Sequence, residues 1–412
     1  MKLFLTNENL FQKIKIISLS CVIFFWDFKI WKFDARLLII LLVIFTLSKY
    51  KILLFKNYKN IFIYGSSIFV FIIIHFYTNL FIEKKNIIVF PKDIFYLYIT
   101  FIAVILNLDL IRRYLKSIIF IFIFCFIIST TIYFIINGYK NSFLISCSYH
   151  GGWYSYTRFF FSENSHLAMM SVPIIIFYLI GNNFVNLSKF EKIFFVIFFL
   201  IALINYTATF LVGLILSLTV IYISNYKYFK KEKKVLATLL FLLSLFFIIT
   251  DEECSEKIFK TKATVFGTEK NLSLSGAVFV NSLNIANKTI KDRPLGWGFN
   301  RYEFAYKKYA IIEKEKYNLP SYHHKQFEWN LNSKDASNNL AKLLTEFGIF
   351  SFFLFIYFIY FSFSDRSTFQ EKSFLIPLVL TQLLLRGAGY FNGGFLICIL
   401  IMLSISFSRN DV

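Results

Sequence analysis

Four short segments carry the residues best suited to chemistry, and each sets ionisable side chains beside glycine, asparagine or serine. The first, YTRFFFSENSHLA from Tyr156, holds Arg158, Glu163 and His166 at the entrance to an apolar run. Arg158 presents a fixed fork of donors suited to phosphate, where the first backbone N–H groups of a helix also favour anions. Glu163 and His166 place a carboxylate and an imidazole within one helical turn, a pairing fit for proton transfer. The plainer reading is that Ser162 or Asn164 caps the helix, Glu163 complements its dipole and His166 lies at headgroup level. The second segment, KDRPLGWGFN from Lys291, sets Arg293 next to Gly296 and Gly298. A glycine turn there can bring backbone amides and a guanidinium onto one anion, or simply stop the amphipathic stretch from Val278 to Ile290. The third runs from Asp335 through Ser337 and Asn338 to Glu346 and Gly348. Asn338 and Glu346 fall on one helical face, and Glu346 is expected about two turns into the membrane, where an ionisable group needs a partner or a cavity. A helix that starts later would instead put Glu346 near the interface. In the fourth, LRGAGYFNGG, Arg386 ends an apolar run before a glycine-rich turn. It is either a snorkelling arginine or, with Arg158 and Arg293, one of three donors around a pyrophosphate. His75 lies within an apolar run, where a hydrogen bond to a neighbouring helix is expected; His323 and His324 belong to no motif.

Those segments need elements to hold them, and composition names the kind. Hydrophobic residues make up 57% of the 412, and mean hydropathy is +0.62. The apolar runs are continuous rather than alternating, so an all-α polytopic membrane protein is expected and a β-barrel is not. Spans are expected at roughly 14–31, 35–48, 61–82, 93–111, 117–136, 164–182, 190–205, 207–224, 235–250, 339–364, 373–386 and 391–408. Connections after even-numbered spans hold Lys49, Lys51, Lys56, Lys59, Arg112, Arg113, Lys116, Lys189, Lys192 and the cluster from Lys227 to Lys234. They outweigh Lys29, Lys32, Arg36, Lys84, Lys85 and Lys92 on the other side, so the positive-inside rule puts both termini in the cytoplasm. The chain then divides into N-terminal spans over 1–250, an extracytoplasmic loop over 251–338 and C-terminal spans over 339–412. A smaller outward loop is expected over 137–163. All four chemical segments face outward in this arrangement.

Several function classes fall away. The net charge of +20 suggests nucleic acid, yet the lysines sit in short loops between apolar runs rather than on one soluble face. No GxxxxGK[ST] or HExxH sequence is present and no soluble catalytic domain is appended, while the lack of an internal repeat weakens a transporter reading without removing it. The run from Ile14 to Trp26 lacks a small-residue cleavage site and reads as a retained first helix. The five cysteines show no metal spacing. Cys21, Cys125 and Cys398 lie in apolar runs and read as buried small residues, whereas Cys147 and Cys254 both face outward, where the sequence leaves open whether they pair.

From residue 150 onward the chain resembles the O-antigen polymerase and ligase superfamily of bacterial envelope glycan assembly. The resemblance rests on R-x4-E-x2-H-x-A (Arg158, Glu163, His166, Ala168), on PLGWGFN from Pro294, and on Asn338 followed by Glu346-Phe347-Gly348-Ile349. It implies transfer of a glycan from an undecaprenyl-pyrophosphate carrier to a hydroxyl acceptor at the periplasmic face of the inner membrane, without metal or cofactor. The implied phosphate ligands are Arg158, Arg293 and Arg386. The implied acid–base candidates are Glu163, His166 and Asp335, with Gly296, Gly298, Asn338 and Glu346 in support. Ligases of the superfamily carry a histidine where this chain has Ser337, so the resemblance favours a polymerase of repeat units, with a chain-length regulator as a possible partner. A second departure is Phe279, near which many members carry an arginine. Ligase activity toward the lipid A core, a lipid-linked sugar transporter or flippase, and a non-catalytic scaffold are the rival expectations.

Overall fold

The computed structural model describes residues 10–24, 35–47, 53–82, 92–137, 164–182, 184–265, 274–314, 332–387, 389–391 and 394–407. These residues form helices and the turns between them, with no strand among the described residues. The first part comprises α1 (Leu10–Phe24), α2 (Ala35–Leu47), α3 (Leu53–Ile82), α4 (Lys92–Leu106), α5 (Leu108–Asn137), α6 (Asn164–Ile176), α7 (Lys189–Ile204), α8 (Ala208–Ser224) and α9 (Lys231–Thr250). Three helices then lie in the polar stretch: α10 (Glu252–Val265), α11 (Leu274–Asp292) and α12 (Tyr302–Lys314). The chain ends in α13 (Asn339–Phe347), α14 (Ser351–Phe363), α15 (Phe369–Leu380) and α16 (Phe395–Phe407). A helix falls on each apolar stretch expected from the sequence. Four segments, Phe62–Phe81, Leu108–Ile132, Lys231–Thr250 and Asn339–Phe363, are long and apolar enough to cross a membrane by length and composition. Ile249 and Phe353 are among many apolar side chains turned outward, 76% and 66% exposed, a surface suited to lipid rather than water.

Aromatic packing joins the inner helices. Phe24 of α1 stacks on Phe122 of α5 at 4.5 Å, Phe122 and Phe126 meet Phe198 of α7, and Phe177 meets Phe374 of α15. Both α6 and α15 contain a proline, Pro173 and Pro377, and both end in a wide π-helical turn, Phe177–Gly181 and Thr381–Leu385. A proline removes one backbone donor and crowds the preceding turn, so such helices seldom run on regularly. The turn after α15 delivers Arg386 out of the helical bundle.

Polar contacts sort into two ends. At one end Arg112 meets Glu371 at 2.6 Å, Lys116 meets Glu191 at 2.9 Å and Lys227 meets Asp365 at 2.7 Å. Ser188 with Glu191 and Thr368 with Glu371 form capping boxes there, fixing the starts of α7 and α15. At the other end Asn300 donates to Asp93 at 2.6 Å, and the Tyr206 hydroxyl donates to Asp251. Cys254, also at that end, is buried and disulfide-bonded, while Cys21, Cys125 and Cys398 are free thiols. Cys147 lies outside the described residues.

Candidate functional site

Three of the four chemical segments meet at the second end. Asn338 opens α13 by accepting the Ala341 N–H at 2.8 Å, so its side chain caps the helix rather than sharing a face with Glu346, as the spacing had suggested. One turn apart on α13, Lys342 and Glu346 are both fully buried, 3.6 Å from each other. Glu346 accepts the backbone N–H groups of Asn300 at 2.7 Å and Tyr302 at 3.0 Å. Lys342 donates to the Lys334 carbonyl at 2.6 Å, to Asn300 Oδ1 at 3.2 Å and to Asp335 at 3.3 Å. A buried charge is tolerable only when paired and hydrogen-bonded, and both of these are. Glu346 is therefore not exposed to the bilayer on a continuous helix. It anchors the polar stretch to α13.

The backbone around Glu346 makes a second set of ties. Trp297 N–H donates to the Thr345 carbonyl at 3.0 Å, Gly298 N–H to the Glu346 carbonyl at 2.8 Å, and Ile349 N–H to the Pro294 carbonyl at 2.9 Å. The expected span over 339–364 is present as one stretch long and apolar enough to cross a membrane, but its helix is kinked here, because Gly348 has φ +53° and a Cβ on it would overlap the Pro294 carbonyl. Gly296, at φ +80°, likewise leaves no room for a Cβ against the Glu346 carbonyl. Only glycine combines that conformation with that approach. The PLGWG turn and the EFG turn, chosen separately in the sequence, thus interlock through their main chains.

The segment after α15 closes the third side. Gly387 N–H donates to the Ser337 carbonyl at 2.8 Å, and Gly389 brings its backbone against Asp335. The Tyr390 ring stacks on Phe299 with centroids 5.4 Å apart and lies 5.1 Å from the Lys342 ammonium. Burial, and after it the Glu346 carboxylate, hold the Tyr390 phenol well above its usual value, so it keeps its proton. From α3, His75 Nε2 donates to the Leu295 carbonyl at 2.6 Å, so that histidine holds the glycine turn rather than a neighbouring helix.

The chemical groups differ in access. Asp335 is the open carboxylate, its side chain 46% exposed against none for Glu346. Arg293 is half-buried with its guanidinium 3.8 Å from the centre of the Trp297 ring, and Arg386 is half-buried beside Gly387. Ser337 is buried and shares a hydrogen bond with Ser282 at 2.7 Å, so it is a packing contact to α11. His166 stands half-buried in the first turn of α6, at the same end. Arg158 and Glu163 lie outside the described residues, as do His323 and His324. Asn338 Nδ2 and both amide atoms of Asn339 are buried with no partner in hydrogen-bonding reach among the described residues, an unusual polar surplus for a packed region. No group of three His, Cys, Asp or Glu able to hold a metal occurs among the described residues.

Sequence reasoning missed Lys342, Asn300 and Arg301. The spacing of Lys342 and Glu346, four residues apart on one helix face, was the available signal. Arg301 had none; it is 5% exposed, with its guanidinium 4.4 Å from the Phe304 ring centre. Below these polar groups an apolar cavity of about 210 Å³ opens between α3, α4, α14 and α16. Phe299, Phe347 and Tyr390 wall both the cavity and the polar cluster. Compared with known proteins, the chain matches no family model, no curated protein and no solved structure.

Proposed function

We propose that the chain is a metal-independent glycosyltransferase that joins undecaprenyl-pyrophosphate-linked oligosaccharide repeat units into a surface polysaccharide at the outer face of the bacterial inner membrane. The observation that carries this is the meeting of three sequence-distant segments, around Arg293, Asp335 and Arg386, directly above an apolar cavity. A lipid-linked sugar phosphate needs that pairing of a cationic, polar end and a greasy slot. In the reaction, the bond between the donor sugar's anomeric carbon and the pyrophosphate oxygen breaks as the acceptor hydroxyl oxygen attacks that carbon. Arg293 and Arg386, with Arg158, stabilise the charge that gathers on the departing pyrophosphate. Asp335, the accessible carboxylate, takes the acceptor's proton, with His166 the other acid–base candidate at this end. Glu346 and Lys342 hold the frame and take no part in proton transfer. The cavity receives the first isoprene units of the carrier.

In this proposal the helices make twelve crossings with both termini cytoplasmic. The disulfide at Cys254 supports that orientation, because such bonds persist on the oxidising side of a membrane. Deleting the gene from a bacterium that carries it is expected to leave single repeat units attached at the surface and to abolish long chains. Loss of a ligase would instead abolish attachment and accumulate lipid-linked polymer. That outcome would overturn the assignment.

A further inference from the structure

The opposite end of the molecule holds a second cavity, of about 370 Å³, that the proposed chemistry does not use. It lies between the turn after α6, the turn before α9 and the start of α15. Lys230 and Lys233 line it, and neither has a carboxylate partner among the described residues. Lys227, also on the rim, is already paired with Asp365, and the nearby Glu371 and Glu191 are held by Arg112 and Lys116. Asn182 adds a donor from the wall. Its Oδ1 accepts from Gln370 at 2.9 Å, while its Nδ2 is buried with no partner among the described residues. The start of α9 faces the same space, and Lys230 at its N-cap supplies no side-chain acceptor to the first N–H groups. Those groups carry the positive end of a 20-residue helix.

Two ammonium groups, an amide donor and a helix start without a side-chain cap thus border one cavity whose lining holds no carboxylate; Glu232, the acid of that first turn, is exposed and lies outside the lining. We propose that this cavity binds the phosphodiester headgroup of an anionic membrane lipid. The surroundings select a lipid over a free anion. Tyr228 and Phe369 stack at 5.3 Å on the rim, an aromatic shoulder of the kind found at headgroup depth. Beyond the lysines, Val235, Leu239 and Leu242 form an exposed apolar stripe along α9, 54%, 58% and 54% exposed, where acyl chains can lie. Basic pockets between helices at the cytoplasmic surface are a recurrent means of holding such headgroups.

The test uses the purified full chain in a neutral detergent and follows its thermal unfolding with added short-chain phosphatidylglycerol, short-chain phosphatidylcholine or inorganic phosphate. Phosphatidylglycerol alone is expected to raise the melting temperature in a saturable way. The double variant Lys230→Gln/Lys233→Gln should bind it about tenfold more weakly or worse, since each lysine near an anionic lipid is worth on the order of 1 kcal/mol. Asn182→Asp keeps the acceptor for Gln370 but replaces the orphaned donor with a negative charge. It should abolish the shift even if the lysine variant proves unstable, whereas Lys189→Gln, outside the cavity, should bind as the parent does. Equal stabilisation by inorganic phosphate would reassign the cavity to a soluble anion. Equal stabilisation by phosphatidylcholine, or full binding by Asn182→Asp, would refute the site.

Discussion

Glu346 and Asp335 are both carboxylates within 3.6 Å of one lysine, yet their surroundings give them different work. Glu346 is closed off, with two backbone donors and Lys342 on its oxygens. Removing one member of such a pair leaves the other charged and buried, at a cost of about 3–5 kcal/mol, whereas replacing both by apolar groups costs far less. Glu346→Gln and Lys342→Met should each lower the melting temperature sharply, and Lys342→Met/Glu346→Leu should recover much of the loss. A double variant as unstable as the sum of the singles would show that the two residues do not act as a pair. Asp335 is half-exposed, and its carboxamide replacement keeps an oxygen for Lys342, which the Lys334 carbonyl, Asn300 and Glu346 also hold. Asp335→Asn should therefore leave unfolding nearly unchanged while glycan polymerisation falls by about 100-fold or more, the range of a lost general base. If His166→Ala shows that loss and Asp335→Asn does not, the base is the imidazole.

At the scale of elements, two interlocked turns join the polar stretch to the membrane helices. Gly348→Ala and Gly296→Ala each put a Cβ into the facing main chain at a positive φ, and each should destabilise by more than the roughly 1 kcal/mol typical of a strain-free glycine change. Faster limited proteolysis within 251–338 is the expected sign; unchanged cleavage would mean the turns do not dock. The contact between α11 and α12 has its own pH dependence. The Tyr309 hydroxyl donates to Asp292 at 2.6 Å and, with Lys308, holds that carboxyl below the usual aspartate value. A depressed carboxylate stabilises the fold fully above its unfolded pKa of about 3.9 and loses that contribution as the pH falls through its lower folded value. Hydrogen exchange in α12 should therefore quicken on acidification, and Tyr309→Phe should remove most of the change. Much of this was legible in the sequence. Continuous apolar runs marked the helices, Pro294 after the amphipathic stretch marked the end of α11, and the glycines of PLGWG and EFG marked turns. That the two turns face each other was not legible, because main-chain pairing between segments some fifty residues apart leaves no periodic trace. The kink at Gly348 was hidden for a related reason: the composition on either side of it reads as one regular apolar helix. Lys342 was overlooked because a lysine near a helix start usually faces water.

At the scale of the whole molecule, the named polar contacts among the described residues divide between two ends: Arg112, Lys116 and Lys227 find partners at one, Asp93, Asp251 and Glu346 at the other. If those ends lie on opposite sides of the membrane, single cysteines on a cysteine-free background report it. Lys291→Cys should react with an impermeant maleimide in spheroplasts, and Glu232→Cys only after lysis; both positions are exposed. The reverse pattern would put the proposed site on the face where no polymer is assembled. The most direct measurement goes to the chemistry itself. Purified protein, reconstituted in liposomes with a synthetic undecaprenyl-pyrophosphate-linked repeat unit from a strain that carries the gene, should yield a ladder of longer lipid-linked chains without added metal or nucleotide sugar. Arg293→Ala, Arg386→Ala and Asp335→Asn, reconstituted at equal amounts, should yield the starting unit alone, because a lost stabilising donor typically costs about 3–4 kcal/mol in the transition state. A full ladder from all three variants would contradict the assignment of catalysis to the place where the three segments meet.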